Sequence, residues 1–227
     1  MEVSNSKRYH FLDFIRGLAV WLMVYFHFFY DLNQFQFVSI NFQRDPFWFY
    51  LPRLIVTLFL FAVGLSMSIS HKGPIRRRPY FKRLSKIGIG ALIISFSTYF
   101  MFPKSWVYFG TLHCIFFCTI LITPLRHRYF LSFVAACIIL TLEVIGYDIP
   151  FWTMQHASMD YIPLFPWVAV CLLGIFAKYL KVHKIPMPEN KLTKLFIVPG
   201  KHAFIIYIIH QPILFSSVYL FHKIVSK

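Results

Sequence analysis

The stretch from Asp13 to Asp31, DFIRGLAVWLMVYFHFFYD, is apolar and long enough to cross a bilayer, yet it carries Arg16, His27 and Asp31. At about 100° per residue, Arg16 and His27 project within roughly 20° of each other and stand roughly 16 Å apart along the axis. Asp13 lies about 60° to one side of Arg16, and Asp31 about 40° beyond His27, so the polar residues share one helical face. An ionisable group deep in lipid costs on the order of 2.5–3.5 kcal/mol, and such a stripe must therefore face protein or water. It marks a functional site by default.

The chain has 227 residues, of which 58% are hydrophobic and 14% charged, with 28 Phe. A soluble domain of this length does not need so much apolar surface, and several runs approach the roughly 20 residues that span a bilayer. The expected fold is all-α: a single polytopic transmembrane bundle over residues 1–227 with about seven helices and a cytoplasmic N-terminus. After the first helix, the expected spans run from about Phe47 to Ser70, Ile87 to Phe102, Tyr108 to Pro124, Tyr129 to Ile145, Tyr161 to Leu180 and His202 to Phe221. No small-residue cleavage site follows the first run, so it reads as a retained helix rather than a signal peptide.

A formal charge of +15 raises nucleic acid as a partner, but the basic residues sit between apolar segments, as orientation determinants do. Of the 23 Lys and Arg, all but Arg44, Arg53, Lys104, Lys223 and Lys227 fall on the inner side of the seven-helix arrangement. HKGPIRRRPYFKRLSK, with Lys72, Arg76, Arg77, Arg78, Lys82, Arg83 and Lys86, reads as a cytoplasmic loop that touches anionic lipid. It can alternatively hold the phosphates of a nucleotide-like donor, bound without a GxGxxG or P-loop device, since the chain has neither.

The remaining polar residues divide between plain and chemical readings. Asp13 can cap the first helix and pair with Arg16. His27 and Asp31 stand four apart, where a carboxylate can orient an imidazole and raise its basicity. Arg53 either snorkels to the interface or reaches the cavity of His27. His113, behind Gly110 and Thr111, is expected close in depth to His27, either in the same site or as a hydrogen-bonded core residue. The outer loop YDIPFWTMQHASMD contributes Asp148, His156 and Asp160, and Pro163 and Pro166 suggest an irregular entry to the next helix. Tyr207, His210 and Gln211 lie mid-membrane, with Pro212 unable to donate to the Ile208 carbonyl. Cys114, Cys118, Cys137 and Cys171 read as small buried hydrophobes, and no metal is expected.

Four stretches, LDFIRGLAVWLMVYFHFFYDL, LFLFAVGLSMSIS, YFGTLHCI and DYIPLFPWVAVCLLGI followed by GKHAFIIYIIHQPIL, resemble the bacterial heparan-α-glucosaminide N-acetyltransferase-like membrane proteins. The spacing from Arg16-Gly17 to His27 is also similar to the wider transmembrane acyltransferase group, including the acyltransferase-3 enzymes. The resemblance implies an enzyme of the bacterial inner membrane that takes an acetyl or other acyl group from cytoplasmic acyl-CoA. Its acceptor would be a sugar or glycan hydroxyl or amine on the far side. Arg16 and His27 match the acyltransferase-3 Arg and His, while His113 and His210-Gln211-Pro212 match the bacterial pattern.

Together these point to acyl transfer with His27, oriented by Asp31, as general base or transient acyl carrier. His113 would share proton transfer or bind substrate, with Arg53, Asp160, His210 and Gln211 against the acceptor. Arg16, Arg76, Arg77, Arg78, Lys82 and Arg83 would hold CoA phosphates. Acyl-CoA, the acceptor and membrane lipid are then the partners, nucleic acid is not, and a homo-oligomer is left open. The alternative is a small membrane carrier or lipid-handling protein whose polar stripe lines a pathway and makes no bond.

Overall fold

A computed structural model describes residues 9–70, 73–147, 149–188 and 190–225. Lys72, Asp148 and Lys227 lie outside the described residues. All regular structure among the described residues is helical. In chain order the helices are α1 (His10–Gln34), α2 (Pro46–Ser70), α3 (Arg77–Met101), α4 (Thr111–Ile122), α5 (Tyr129–Val144), α6 (Trp167–Tyr179), α7 (Lys191–Lys201) and α8 (Ala203–Val225), with short 3-10 turns at Thr123–Leu125 and Val182–Lys184.

Helices α1, α2, α3 and α8 are long and apolar enough to cross a membrane. Helices α4, α5 and α6 have 12, 16 and 13 residues, short of the about 20 a straight span needs. Their ends have specific causes. α4 starts where Asp160 caps Thr111 and gives way to a 3-10 turn at Pro124. α5 ends before Gly146, whose φ of 74° favours glycine. α6 is delayed to Trp167 by the prolines at 163 and 166, the latter following a cis peptide bond.

Two further departures concern basic segments. The stretch expected as a cytoplasmic loop is largely the opening of α3, which starts at Arg77 rather than Ile87. Lys and Arg are good helix formers, and Pro79 falls in the first turn, where its missing N–H breaks no helical bond. Past the lysine-rich segment, α7 adds a helix that the apolar pattern did not show. The Asn190 side chain accepts from the Thr193 amide and hydroxyl, both at 2.8 Å, and so defines its start.

The chain divides into two compact units: Met1–Leu58 with Lys181–Lys227, and Phe59–Leu180. In the first, α1 is gripped by α7 and α8. Gly17 and Gly200 set the α1–α7 approach. A Cβ on Gly17 would overlap the Phe196 carbonyl, and one on Gly200 the Asp13 carbonyl. Pro199 removes the amide that would bond the Leu195 carbonyl, and the Trp21 indole donates to that oxygen instead at 3.0 Å. In the second unit, Gly64 and Gly174 perform the same service between α2 and α6. Cys114, Cys118 and Cys171 are buried in its core, as expected for small hydrophobes, whereas Cys137 is exposed.

Candidate functional site

In the first unit, four of the expected site residues converge from helices far apart in sequence. His27 and Asp31 stand one turn apart on α1, and His210 and Gln211 come from α8. The two imidazole centroids are 4.9 Å apart, with ring planes at 63°. Asp31 is 1% exposed, and its Oδ1 accepts from Gln211 Nε2 at 2.9 Å. Hence Gln211, not His27, engages the carboxylate. Stacked on one helix face, the His27 ring turns toward α8 and meets His210 there.

His210 Nδ1 lies 2.8 Å from the Tyr207 carbonyl. A carbonyl oxygen can only accept, so Nδ1 carries a proton, and in the neutral ring Nε2 holds the lone pair. That tautomer is assigned from the hydrogen bond. Four enclosed polar atoms of this cluster have no hydrogen-bond partner among the described residues: His27 Nδ1, Asp31 Oδ2, His210 Nε2 and Gln211 Oε1. Buried polar atoms are normally paired, and an unpaired set on four neighbouring side chains suits a site that receives a ligand or a proton.

The other expected residues of this unit have different surroundings. Arg16 lies 3.7 Å from Asp13, the i,i+3 pair expected for a helix start. Arg53 is exposed and folds onto its own helix, donating to the Phe49 carbonyl at 2.6 Å with its guanidinium 3.7 Å from the Phe49 ring centroid.

In the second unit, His113 and Asp160 meet around the N-terminus of α4. The Gly110 amide donates to His113 Nδ1 at 3.2 Å, so Nε2–H is left to face Ser95 Oγ at 3.1 Å. Ser95 in turn donates to the Val107 carbonyl at 2.7 Å. Both ring nitrogens of His113 are therefore occupied, one of them in the return half of a capping box. Asp160 accepts from the Thr111 amide at 2.9 Å and from its hydroxyl at 3.2 Å. Gly110 leaves room for that carboxylate, which a Cβ would strike. The segment YFGTLHCI thus builds a helix cap, a job that uses Gly110, Thr111, His113 and Asp160 together.

Arg76, Arg77, Arg78 and Lys82 are exposed on the opening of α3, with Arg83 half-buried. They form an accessible cationic patch at one helix end. Among the described residues, no group of three or more His, Cys, Asp and Glu is placed to hold a metal.

Sequence reasoning missed the pairing of His27 with His210. No local spacing can reveal a contact made by two helices at opposite ends of the chain. The available signals were that both histidines sit within apolar runs and in stretches that resemble one family. The family model for heparan-alpha-glucosaminide N-acetyltransferase, catalytic, matches residues 8–212. No curated protein and no solved structure matches the chain.

Proposed function

The chain belongs to the heparan-alpha-glucosaminide N-acetyltransferase catalytic family, and from that premise we propose that it transfers an acetyl or other acyl group from cytoplasmic acyl-CoA to a sugar or glycan acceptor across the membrane. The single observation that carries this assignment to a site is the His27–His210 pair, with Asp31 and Gln211 beside it and unpaired polar atoms on all four.

In the proposed step the acceptor amine or hydroxyl attacks the thioester carbonyl. A C–N or C–O bond forms, the C–S bond breaks, the acceptor proton passes to an imidazole, and the departing CoA thiolate takes up a proton. His27, half-buried where His210 is buried, meets the acceptor. His210 Nε2, kept as a lone pair by the Tyr207 carbonyl, shares the proton. Two adjacent imidazoles resist carrying two positive charges, so the pair works as a one-proton unit. Gln211 anchors one oxygen of Asp31 and leaves the other to accept a hydrogen bond from the neutral amine or hydroxyl of the acceptor. General base catalysis of this kind contributes typically 10²–10⁴-fold.

The exposed cations on α3 suit CoA phosphates, and this would place the start of α3 on the cytoplasmic side. Arg16 would bind a donor phosphate only by leaving its pairing with Asp13. His113 and Asp160 are assigned to the α4 cap rather than to chemistry. The membrane is proposed to be the bacterial inner membrane.

The test is acetyl-CoA binding and turnover by detergent-purified protein, wild type beside His27→Ala, His210→Ala and His113→Ala. Turnover lost in the first two and kept in the third supports the assignment. Turnover lost only in His113→Ala moves the chemistry to the second unit. A folded wild type that neither binds nor turns over acyl-CoA favours the carrier, whose proton pathway would use the same unpaired atoms.

A further inference from the structure

Just past Asp31, at the C-terminal end of α1, lies an open cavity of about 510 Å³ lined by Asn33, Gln36, Phe37, Val38 and Ser39. The chain leaves α1 through a Schellman motif. The Gln36 amide bonds the Asn33 carbonyl at 3.1 Å, and the Phe37 amide bonds the Leu32 carbonyl at 2.9 Å. The motif puts Gln36 at φ 62°, the left-handed conformation that glycine adopts freely and a glutamine does not. A long amide side chain at such a position is retained at a conformational cost, which calls for a use of the side chain.

The loop around it is held in place. Asn33 Oδ1 accepts from the Ile40 amide at 2.7 Å. Phe35 packs on Phe215, and Phe37 packs on Phe221 and His222 of α8. Gln36 and Ser39 are exposed, and neither side chain has a hydrogen-bond partner among the described residues. The cavity is therefore lined by two carboxamide residues and a hydroxyl residue on a loop held in place, with Phe37 and Val38 as its apolar part. Paired donors and acceptors beside an aromatic ring suit an array of vicinal hydroxyls on a pyranose. Simple cations or phosphates find no charged partner there.

We propose that Asn33, Gln36 and Ser39 form the docking site of a saccharide acceptor, delivering it to the His27–His210 cluster from the end of α1. This rests on the acyl-transfer reading only for the fate of the sugar. It is not needed for the binding itself.

The test uses glucosamine as probe, titrated by calorimetry into purified protein without acyl-CoA, with wild type, Gln36→Gly and Ser39→Ala. Gln36→Gly removes the amide while relieving the backbone, so its unfolding midpoint should be no lower than wild type and a binding loss cannot be ascribed to misfolding. The expected result is saturable binding to wild type, weakened at least tenfold in Gln36→Gly and several-fold in Ser39→Ala. Equal affinity in wild type and Gln36→Gly, or no binding by folded wild type, overturns the proposal. Acetyl-CoA turnover is assayed in parallel. Weakened binding in the variants with no turnover in any protein keeps the docking site and sinks acyl transfer. Turnover with the same KM for glucosamine in wild type and Gln36→Gly keeps acyl transfer and sinks the docking site.

Discussion

Each of the two units contains a histidine inside an apolar helix and a carboxylate nearby, and the two pairs do opposite things. In the second unit His113 bonds the Gly110 amide and the Ser95 hydroxyl while Asp160 takes the Thr111 amide. The result is a capped helix. In the first, His27 and His210 meet ring to ring, and Nδ1 of one and Nε2 of the other stay unpaired. Residue type and apolar context therefore do not tell a histidine with both nitrogens bonded from one with an open nitrogen. The difference bears on chemistry, because an occupied nitrogen must break a bond before it can move a proton.

The widest separation between the units is expected in turnover. Replacing His27 or His210 with alanine should lower acyl transfer by about 10²–10⁴-fold, the usual range for a lost general base. His113→Ala should leave the rate per folded molecule unchanged. Steady-state assays on protein normalised by size-exclusion chromatography decide this, and a comparable rate loss in His113→Ala would erase the contrast.

Next in size are the close helix approaches, where the units should behave alike. Gly17→Ala and Gly64→Ala each drive a methyl into a partner helix's carbonyl. Each is expected to cost about 1–3 kcal/mol or more, the range for overpacking. Thermal unfolding in detergent should show both midpoints lowered, and an unshifted Gly17→Ala would mean that α7 is not held on α1 as described.

A smaller loss belongs to the second unit alone. Asp160→Ala removes the α4 cap and should destabilise by about 0.5–2 kcal/mol. Acetyl-CoA turnover by the folded fraction should stay at the wild-type level. Reduced turnover with an unchanged midpoint would return Asp160 to the substrate site.

The smallest effect sharpens the account of α7. Trp21→Phe deprives the Leu195 carbonyl of its donor and should cost about 0.5–1.5 kcal/mol. In a Pro199→Ala background residue 199 again has an N–H for that carbonyl, so the same change should cost measurably less. Equal costs in both backgrounds would show that the indole does not substitute for the missing helical bond.

Much of this protein is legible along the chain because its determinants are local. Apolar runs and the positions of Gly and Pro identify an all-helical membrane chain, and the stretch from Asp13 to Asp31 shows that α1 carries a polar face. The motifs LDFIRG, YFGTLHCI and HQP place it near its family. Helix α7 escaped this reading because it is short and lysine-rich, holds Pro199, and buries only a narrow face (Thr193, Ile197 and Gly200), too little apolar sequence to read as a span. The opening of α3 escaped it because charge looks like a loop while Lys and Arg favour helix.

The occupation of the second His113 nitrogen by Ser95, the capping of α4 by Asp160 and the meeting of His27 with a partner on α8 belong to tertiary structure alone. Hydrogen-bond partners are chosen by whichever groups the packing brings within about 3 Å. The Ser95 hydroxyl and Asp160 reach α4, and His210 reaches α1, only after the helices have docked.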